Sequence, residues 1–415
     1  MLKRIVLRAF QGLGGSGIFS MVLVIAPTLV PREKHGRYMA VISSVFAIAS
    51  VLGPILGGAI TTHSTWRWVF LLNAPAGATA IVLVTVFLPS SGDLKFAARL
   101  SSKFSKASYH RIDILGVVLL LTASVLLVFA LEEGGARYSW RSPAIVSTIV
   151  LAGASWIIFF CWEYYVDKAE SAQEPIFPLR LLKDRVLVGM LSTGFFLGFP
   201  FVTIIVNIPQ RAQAADGLSP VHAGLALLPL LLCSAFSSAL PGTLTLNLKH
   251  MYILMAGAIL ELIGVGLSSA LPTTTDKIAV RQYGYEALMG VGFGLQMSTL
   301  MILAPLIVKE ADLAVTMGAI TQIRILGGTV GLAICSTVLN DHVRSRLQSL
   351  ITPSELIDIS NSFSAIEALT PAQQAAVRTA FAEGYNKQMQ VMIAFSGAGF
   401  LTCLLLWEKK ARSVG

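Results

Sequence analysis

VFAIASVLGPILGGAI, residues Val45–Ile60, decides the fold class. The stretch is apolar, rich in small residues, and interrupted by Pro54 between Gly53 and the Gly57-Gly58 pair. On a helix, Gly53 and Gly57 lie one turn apart on the same face. Small residues so placed let a neighbouring backbone approach closely, which is how helices pack inside a bilayer. Pro54 removes one backbone hydrogen bond and crowds the preceding turn, so a kink is expected. A freed carbonyl is tolerated at membrane depth only where neighbours or a cavity satisfy it. The stretch therefore predicts a packed, bent, interior membrane helix.

Composition agrees. Of 415 residues, 55% are hydrophobic and only 13% charged, against about 25% charged in a soluble domain. Mean hydropathy is +0.73. The net charge of +9 comes from basic residues scattered through the polar connections, not gathered on one face, which argues against a nucleic-acid partner. Cys161, Cys233, Cys335 and Cys403 all fall in apolar spans without metal-ligand or disulfide spacing, and are expected to be small core residues. The start Met1-Leu-Lys-Arg imitates a signal peptide, but its apolar run is too long and is broken by Arg8.

Eleven apolar spans of bilayer length are expected at residues 5–30, 38–60, 67–88, 113–132, 144–163, 186–208, 219–241, 251–271, 283–308, 313–339 and 389–407. The chain is thus expected to be all-α, a polytopic helical bundle. It divides into residues 1–90 (three spans), a two-helix insert at 113–165, and a six-helix bundle at 186–415. The connections 31–37 and 89–112, with Lys95, Arg99, Lys103, Lys106 and Arg111, are more basic than those opposite; by the positive-inside rule they face the cytoplasm. The long outer connection 341–388 holds two capping boxes, Thr352-Pro-Ser-Glu355 and Thr370-Pro-Ala-Gln373, and amphipathic helices lying over the outer face are expected there.

The chain also repeats itself. Gly12-Leu-Gly14 … Ala26-Pro27-Thr-Leu-Val30 recurs with the same spacing as Gly290-Val-Gly292 … Ala304-Pro305-Leu-Ile-Val308. Leu52-Gly53-Pro54-Ile-Leu-Gly57 recurs as Leu326-Gly327-Gly328-Thr-Val-Gly331. Weak internal symmetry of this kind marks transporters built from two parallel halves. Three spans precede the second copy. Equal halves would place three before the first copy as well, so the repeat predicts three further spans ahead of Met1, fourteen in all.

Charges deep in spans are expensive and need a partner or a water-filled cavity. By position along the spans these are Arg8, Glu261 and Arg324. Arg8 shares a helical face with Gln11, Gly12 and Gly15. Glu261 is mid-span, with Gly257 and Gly264 on its face; a carboxylic acid there can take up and release a proton, or pair with a buried cation. Arg324 can pair with Glu261 or hold an anionic group of a substrate. Gln11, Asn207, Gln296 and Gln322 are candidates for lining a substrate path, or for bonding helix to helix. Gly12-x-Gly14-x-x-Gly17 fits a dinucleotide fingerprint by letter but lies within an apolar helix with no strand before it. With no P-loop either, the expected energy source is an ion gradient, most simply protons. No cofactor, metal or enzymatic activity is expected.

Three motifs carry a family resemblance: Arg8-Ala-Phe-Gln11-Gly12; Gly53-Pro54-Ile-Leu-Gly57-Gly58; and Trp66-Arg67-Trp68-Val-Phe-Leu-Leu-Asn73-Ala-Pro75. In that order and separation the sequence resembles the major facilitator superfamily, and within it the fungal members of the fourteen-helix drug:proton antiporter branch. The resemblance implies a proton-coupled antiporter that effluxes drugs, toxins or secondary metabolites. It implies that Arg8 is tied to proton coupling, beside Glu261 and Arg324, which are coupling candidates by their depth in the spans, and that Gly53, Pro54, Gly57 and Gly58 form the antiporter motif. It also implies partners limited to a small organic substrate, protons and the lipid bilayer, with a monomer in the plasma membrane or else the vacuolar membrane. A siderophore or basic amino acid carrier of the same branch, or a non-transporting membrane sensor, stands as the alternative.

Overall fold

The computed structural model of the chain describes residues 2–28, 35–65, 67–87, 113–135, 138–168, 173, 175–245, 248–273, 278–361 and 363–408. Trp66, the basic connections at 29–34 and 88–112, Glu174, Lys277 and Lys409–Arg412 lie outside these residues, as does the side chain of Pro54. Every named element is helical. Nine stretches among the described residues are long and apolar enough to cross a bilayer, from Arg67–Phe87 to Pro371–Leu406. The helices α1 (Leu2–Thr28) and α2 (His35–His63) supply the other two of the eleven expected spans. The third is split into α3 (Arg67–Leu71) and α4 (Asn73–Phe87).

Helices α5 (Ile114–Glu133) and α6 (Pro143–Lys168) form an antiparallel pair. The buried residues of α5 are Gly116, Ala123 and Ala130; those of α6 include Ile145, Ala152, Phe159 and Val166. Both sets recur every seven residues, the spacing of a left-handed helix crossing. Small residues on α5 meet larger ones on α6, while Val118, Leu121 and Val125 remain exposed for lipid. The exposed Cys161 on α6 corrects the expectation that all four cysteines are core residues; Cys335 and Cys403 are buried. Cys161 lies off the seven-residue seam that α5 covers.

From Arg185 onward the helices pack on one another. They are α7 (Arg185–Ala214), the broken span α8 (Pro220–Leu225), α9 (Leu228–Ala239) and α10 (Pro241–Leu244), then α11 (His250–Ser268), α12 (Val280–Ile307), α13 (Glu310–Leu347), the short α14 (Pro353–Asn361), and α15 (Pro371–Thr402). Prolines at 220 and 241 sit in the first turns of α8 and α10, where a missing N–H costs nothing. The tightest pairings are α7 with α13, and α12 with both α9 and α11. Glycines make them possible. A Cβ on Gly331 of α13 would stand 2.9 Å from the Phe199 carbonyl of α7. Phe293, Met289, Leu230, Leu254 and Ile204 fill the shared core, and Phe199 stacks on Phe395 at 4.2 Å.

The two copies of the repeat occupy matching elements. Helix α1 ends at Thr28 and α12 at Ile307; α2 starts at His35 and α13 at Glu310. These are equivalent positions to within a residue. Helix α2 packs against α8–α10 and α12, and α1 touches α13. At one end, Arg180 in the connector after α6 bonds Asp312 of α13 at 2.7 Å and reaches Asp167 of α6 at 3.5 Å.

The outer segment departs from expectation in one respect. Both capping boxes form, but the second does not start a helix lying over the outer face. It starts α15, which continues without a break into the last span. Likewise α13 extends well past residue 339. The projecting ends of α13 and α15 and the helix α14 close a second small core of Val343, Leu347, Ile359, Ile366 and Val377.

Candidate functional site

The site is built on a close approach of α11 and α12. On α11, Gly257 and Gly264 share the face of Glu261. A Cβ on Gly257 would lie 2.9 Å from the Gly292 carbonyl and from Gln296 Cγ; one on Gly264 would lie 2.9 Å from the Tyr285 carbonyl. Across the seam, a Cβ on Gly292 would lie 2.7 Å from the Glu261 amide nitrogen. The two backbones touch because neither carries a side chain there. That contact sets Gln296 beside Glu261, where its Nε2 donates to Glu261 Oε2 at 2.6 Å. From α15, Ser396 Oγ donates to Oε1 at 2.8 Å. The carboxyl group is 3% exposed and bridges three helices.

Both partners of Glu261 are neutral, and no cation pairs with it among the described ion pairs. A serine hydroxyl both donates and accepts, and a primary amide offers both an oxygen and an NH2 group. The cage can therefore hold the carboxyl group ionised, by donating to it, or protonated, by accepting from it. An ion pair would hold one form only.

Arg324 corrects one of the two expectations made for it: it does not pair with Glu261. Its side chain is buried, and its guanidinium lies over the Phe201 ring of α7, 5.8 Å from the centroid. Its Nε meets no acceptor. Asn207 and Gln388 are both buried. Asn207 Nδ2 donates to Gln388 Oε1 at 2.9 Å, and Gln388 Nε2 donates to the Cys335 carbonyl at 2.9 Å, a bond from helix to helix. Gln322 is exposed and donates to Ser124 of α5 at 3.3 Å, so it faces the insert. Arg8 and Gln11 do share a face: Arg8 Nη1 donates to Gln11 Oε1 at 3.2 Å, and the guanidinium lies 4.8 Å from the Phe70 ring of α3. Both are exposed.

The antiporter-motif glycines lie on α2. Helix α2 runs through position 54, and among the described residues a Cβ placed on Gly53 or Gly57 meets no atom within 4 Å. The close approach is at Gly58, whose Cβ would lie 3.4 Å from Val221 Cα. Among the described residues, the flank of α2 that carries Gly58 is the one that meets α8.

Other buried ionisable groups lie outside the candidates drawn from the sequence. Glu286 on α12 is fully buried, accepts from Gln282 Nε2 at 2.8 Å, and leaves Oε2 without a partner. Arg211 on α7 donates to the Pro272 carbonyl at 2.8 Å and to the Ala382 carbonyl at 3.3 Å, with its guanidinium 4.9 Å from the Tyr385 ring. Asp216 follows α7 in the turn at Gly217 (φ 66°). Burial pushes its carboxyl above the usual range, opposed by Arg211 and Arg378. Glu163 on α6 takes the Ile176 and Phe177 amides and so ties down the connector. Arg211 and Glu163 were hidden by span ends: α7 continues to Ala214 and α6 to Lys168, beyond where hydropathy falls. For Glu286, the four-residue spacing from Gln282 is the available signal.

Comparison with known proteins places these helices in a lineage. The family model described as Major Facilitator Superfamily matches residues 5–332. The chain is 46% identical to MFS-type transporter FPY5 of Fusarium mangiferae, over 99% of this chain and 69% of that protein. It is 30% identical to Efflux pump FUS6 of Gibberella fujikuroi, over 96% of this chain and 71% of that protein. It is 29% identical to Efflux pump hmp6 of Hypomyces subiculosus, over 94% and 68%.

Proposed function

We propose that this chain, which belongs to the Major Facilitator Superfamily, exports small organic compounds in exchange for protons, with Glu261 as the group that carries the proton. It is an integral, multi-pass membrane protein and a transporter, not an enzyme. The observation that carries the proton-coupled reading is the neutral cage of Glu261: a buried carboxyl group held by Gln296 and Ser396 on two other helices. A proton arriving there changes the net charge of the helix contact without breaking a salt bridge. Because α11, α12 and α15 all contribute, a change in that charge bears on their packing, which is the coupling an antiporter needs.

Export is supported by relatives named as efflux pumps, and drugs, toxins or secondary metabolites are the substrate class we propose, at the plasma membrane. A monomer suffices, since the helices from Arg185 onward close on their own core.

The test uses inside-out vesicles carrying the chain, with an acid interior and a panel of amphipathic organic compounds. Addition of a transported compound should draw protons out and collapse the gradient. Glu261→Gln, which keeps the shape of the acid but cannot carry the proton, should leave the gradient standing. Substrate-driven proton movement at the wild-type rate in Glu261→Gln would remove Glu261 from the mechanism.

A further inference from the structure

Arg324 is a buried cation with nothing to neutralise it. The residue is 6% exposed, its side chain has no hydrogen bond or ion pair among the described residues, and Nε has no acceptor. Its position on α13 is fourteen residues past Glu310, about 21 Å along the helix. That is inside the apolar span, and the residue is enclosed by its protein neighbours instead of lying along lipid. The neighbours that could have made it structural do not. Phe201 offers its ring at 5.8 Å, close to the outer limit of about 6 Å for such a contact. Glu261, the partner expected from the sequence, is held by Gln296 and Ser396, and the other buried acid, Glu286, accepts from Gln282. The helix contact itself is made by backbone, since Gly198 of α7 sits against the Arg324 carbonyl; it does not need the side chain.

We propose that Arg324 binds the anionic group of the exported compound, and that the substrates are amphipathic organic acids carrying a carboxylate. The inference rests on the export reading above and adds the chemical class of the cargo. A guanidinium offers a planar, two-pronged set of donors that matches a carboxylate. The Phe201 ring lies at its face, and Phe201 packs edge-to-face on the core residue Phe293 at 5.2 Å, so the surroundings of the guanidinium are apolar. The same charge repels cationic compounds, which disfavours a basic amino acid as cargo.

The test takes the full chain in lipid nanodiscs and follows thermal unfolding with 2-naphthoate or with 2-naphthamide, which has the same rings and no charge. Naphthoate should raise the melting temperature and naphthamide should not. Arg324→Met should abolish the naphthoate shift, and Arg324→Lys should keep part of it. Without ligand, Arg324→Met should melt at or above the wild-type temperature, because an uncompensated buried charge has been removed. Equal responses to the two compounds, no response to either, or an unchanged naphthoate shift in Arg324→Met would overturn the inference. A naphthoate preference that persists while the vesicle assay shows no proton exchange would instead count against the coupling reading alone.

Discussion

At Gly257 a single missing methyl group decides how close two helices come. The Gly292 carbonyl and Gln296 Cγ stand 2.9 Å from where its Cβ would be, so Gly257→Ala must push α12 away and with it the amide that holds Glu261. Overpacking of that kind costs about 1–3 kcal/mol, and the melting temperature should fall accordingly. The contrast is Gly53, whose Cβ would meet nothing within 4 Å among the described residues: Gly53→Ala should leave the melting temperature unchanged. Equal destabilisation by the two substitutions would show that the open face at Gly53 is misjudged. In the sequence the G-P-x-x-G-G pattern around Pro54 is the more conspicuous of the two. A glycine's role, however, depends on what faces it. The spacing of Gly257, Glu261 and Gly264 was legible; that the acid is held by Ser396, 135 residues away, was not, since no local pattern links them.

Among the elements, α15 shows where hydropathy misleads. Its polar first half and apolar second half read as two segments, yet nothing between Pro371 and Thr402 stops a helix. A bilayer boundary changes which side chains are favoured without ending the backbone hydrogen bonds. The caps, being local chemistry, were read correctly from four residues each. At the start of α14, Glu355 accepts from the Thr352 amide at 2.8 Å and from the Thr352 hydroxyl at 2.8 Å. The amide, and then the hydroxyl, hold its carboxyl below the usual range. A depressed acid contributes above its ordinary value of about 4.3 and loses that contribution as pH falls through the lower folded value. Hydrogen-exchange protection across 353–361, corrected for the intrinsic rate, should therefore drop on acidification in the wild type. In Glu355→Gln it should be nearly flat. A parallel drop in both would mean the cap does not depend on the charge.

For the whole molecule, nine of the eleven expected spans recur among the described residues as helices long and apolar enough to cross a bilayer, legible because each must be about twenty apolar residues long, and the family was legible because three motifs stand in order in the first 75 residues. The repeat was legible too, and the equivalent ends of α1 and α12 and starts of α2 and α13 agree with it. The copies differ in surroundings. Gly290 and Gly292 of α12 and Gly327 and Gly331 of α13 are pressed against α7, α9 and α11, whereas a Cβ on Gly12, Gly14 or Gly53 meets no atom within 4 Å among the described residues. What the bundle adds is one buried acid in a cage of neutral donors, and the central claim is that this acid changes protonation during transport. Infrared difference spectra of the chain in lipid, recorded across the pH range in which it stays folded, test this directly. The wild type should show the band of a protonated, hydrogen-bonded carboxylic acid that disappears as pH rises, and Glu261→Gln should lack that band alone. A wild-type spectrum whose carboxylic acid bands are unaltered by Glu261→Gln would contradict the account.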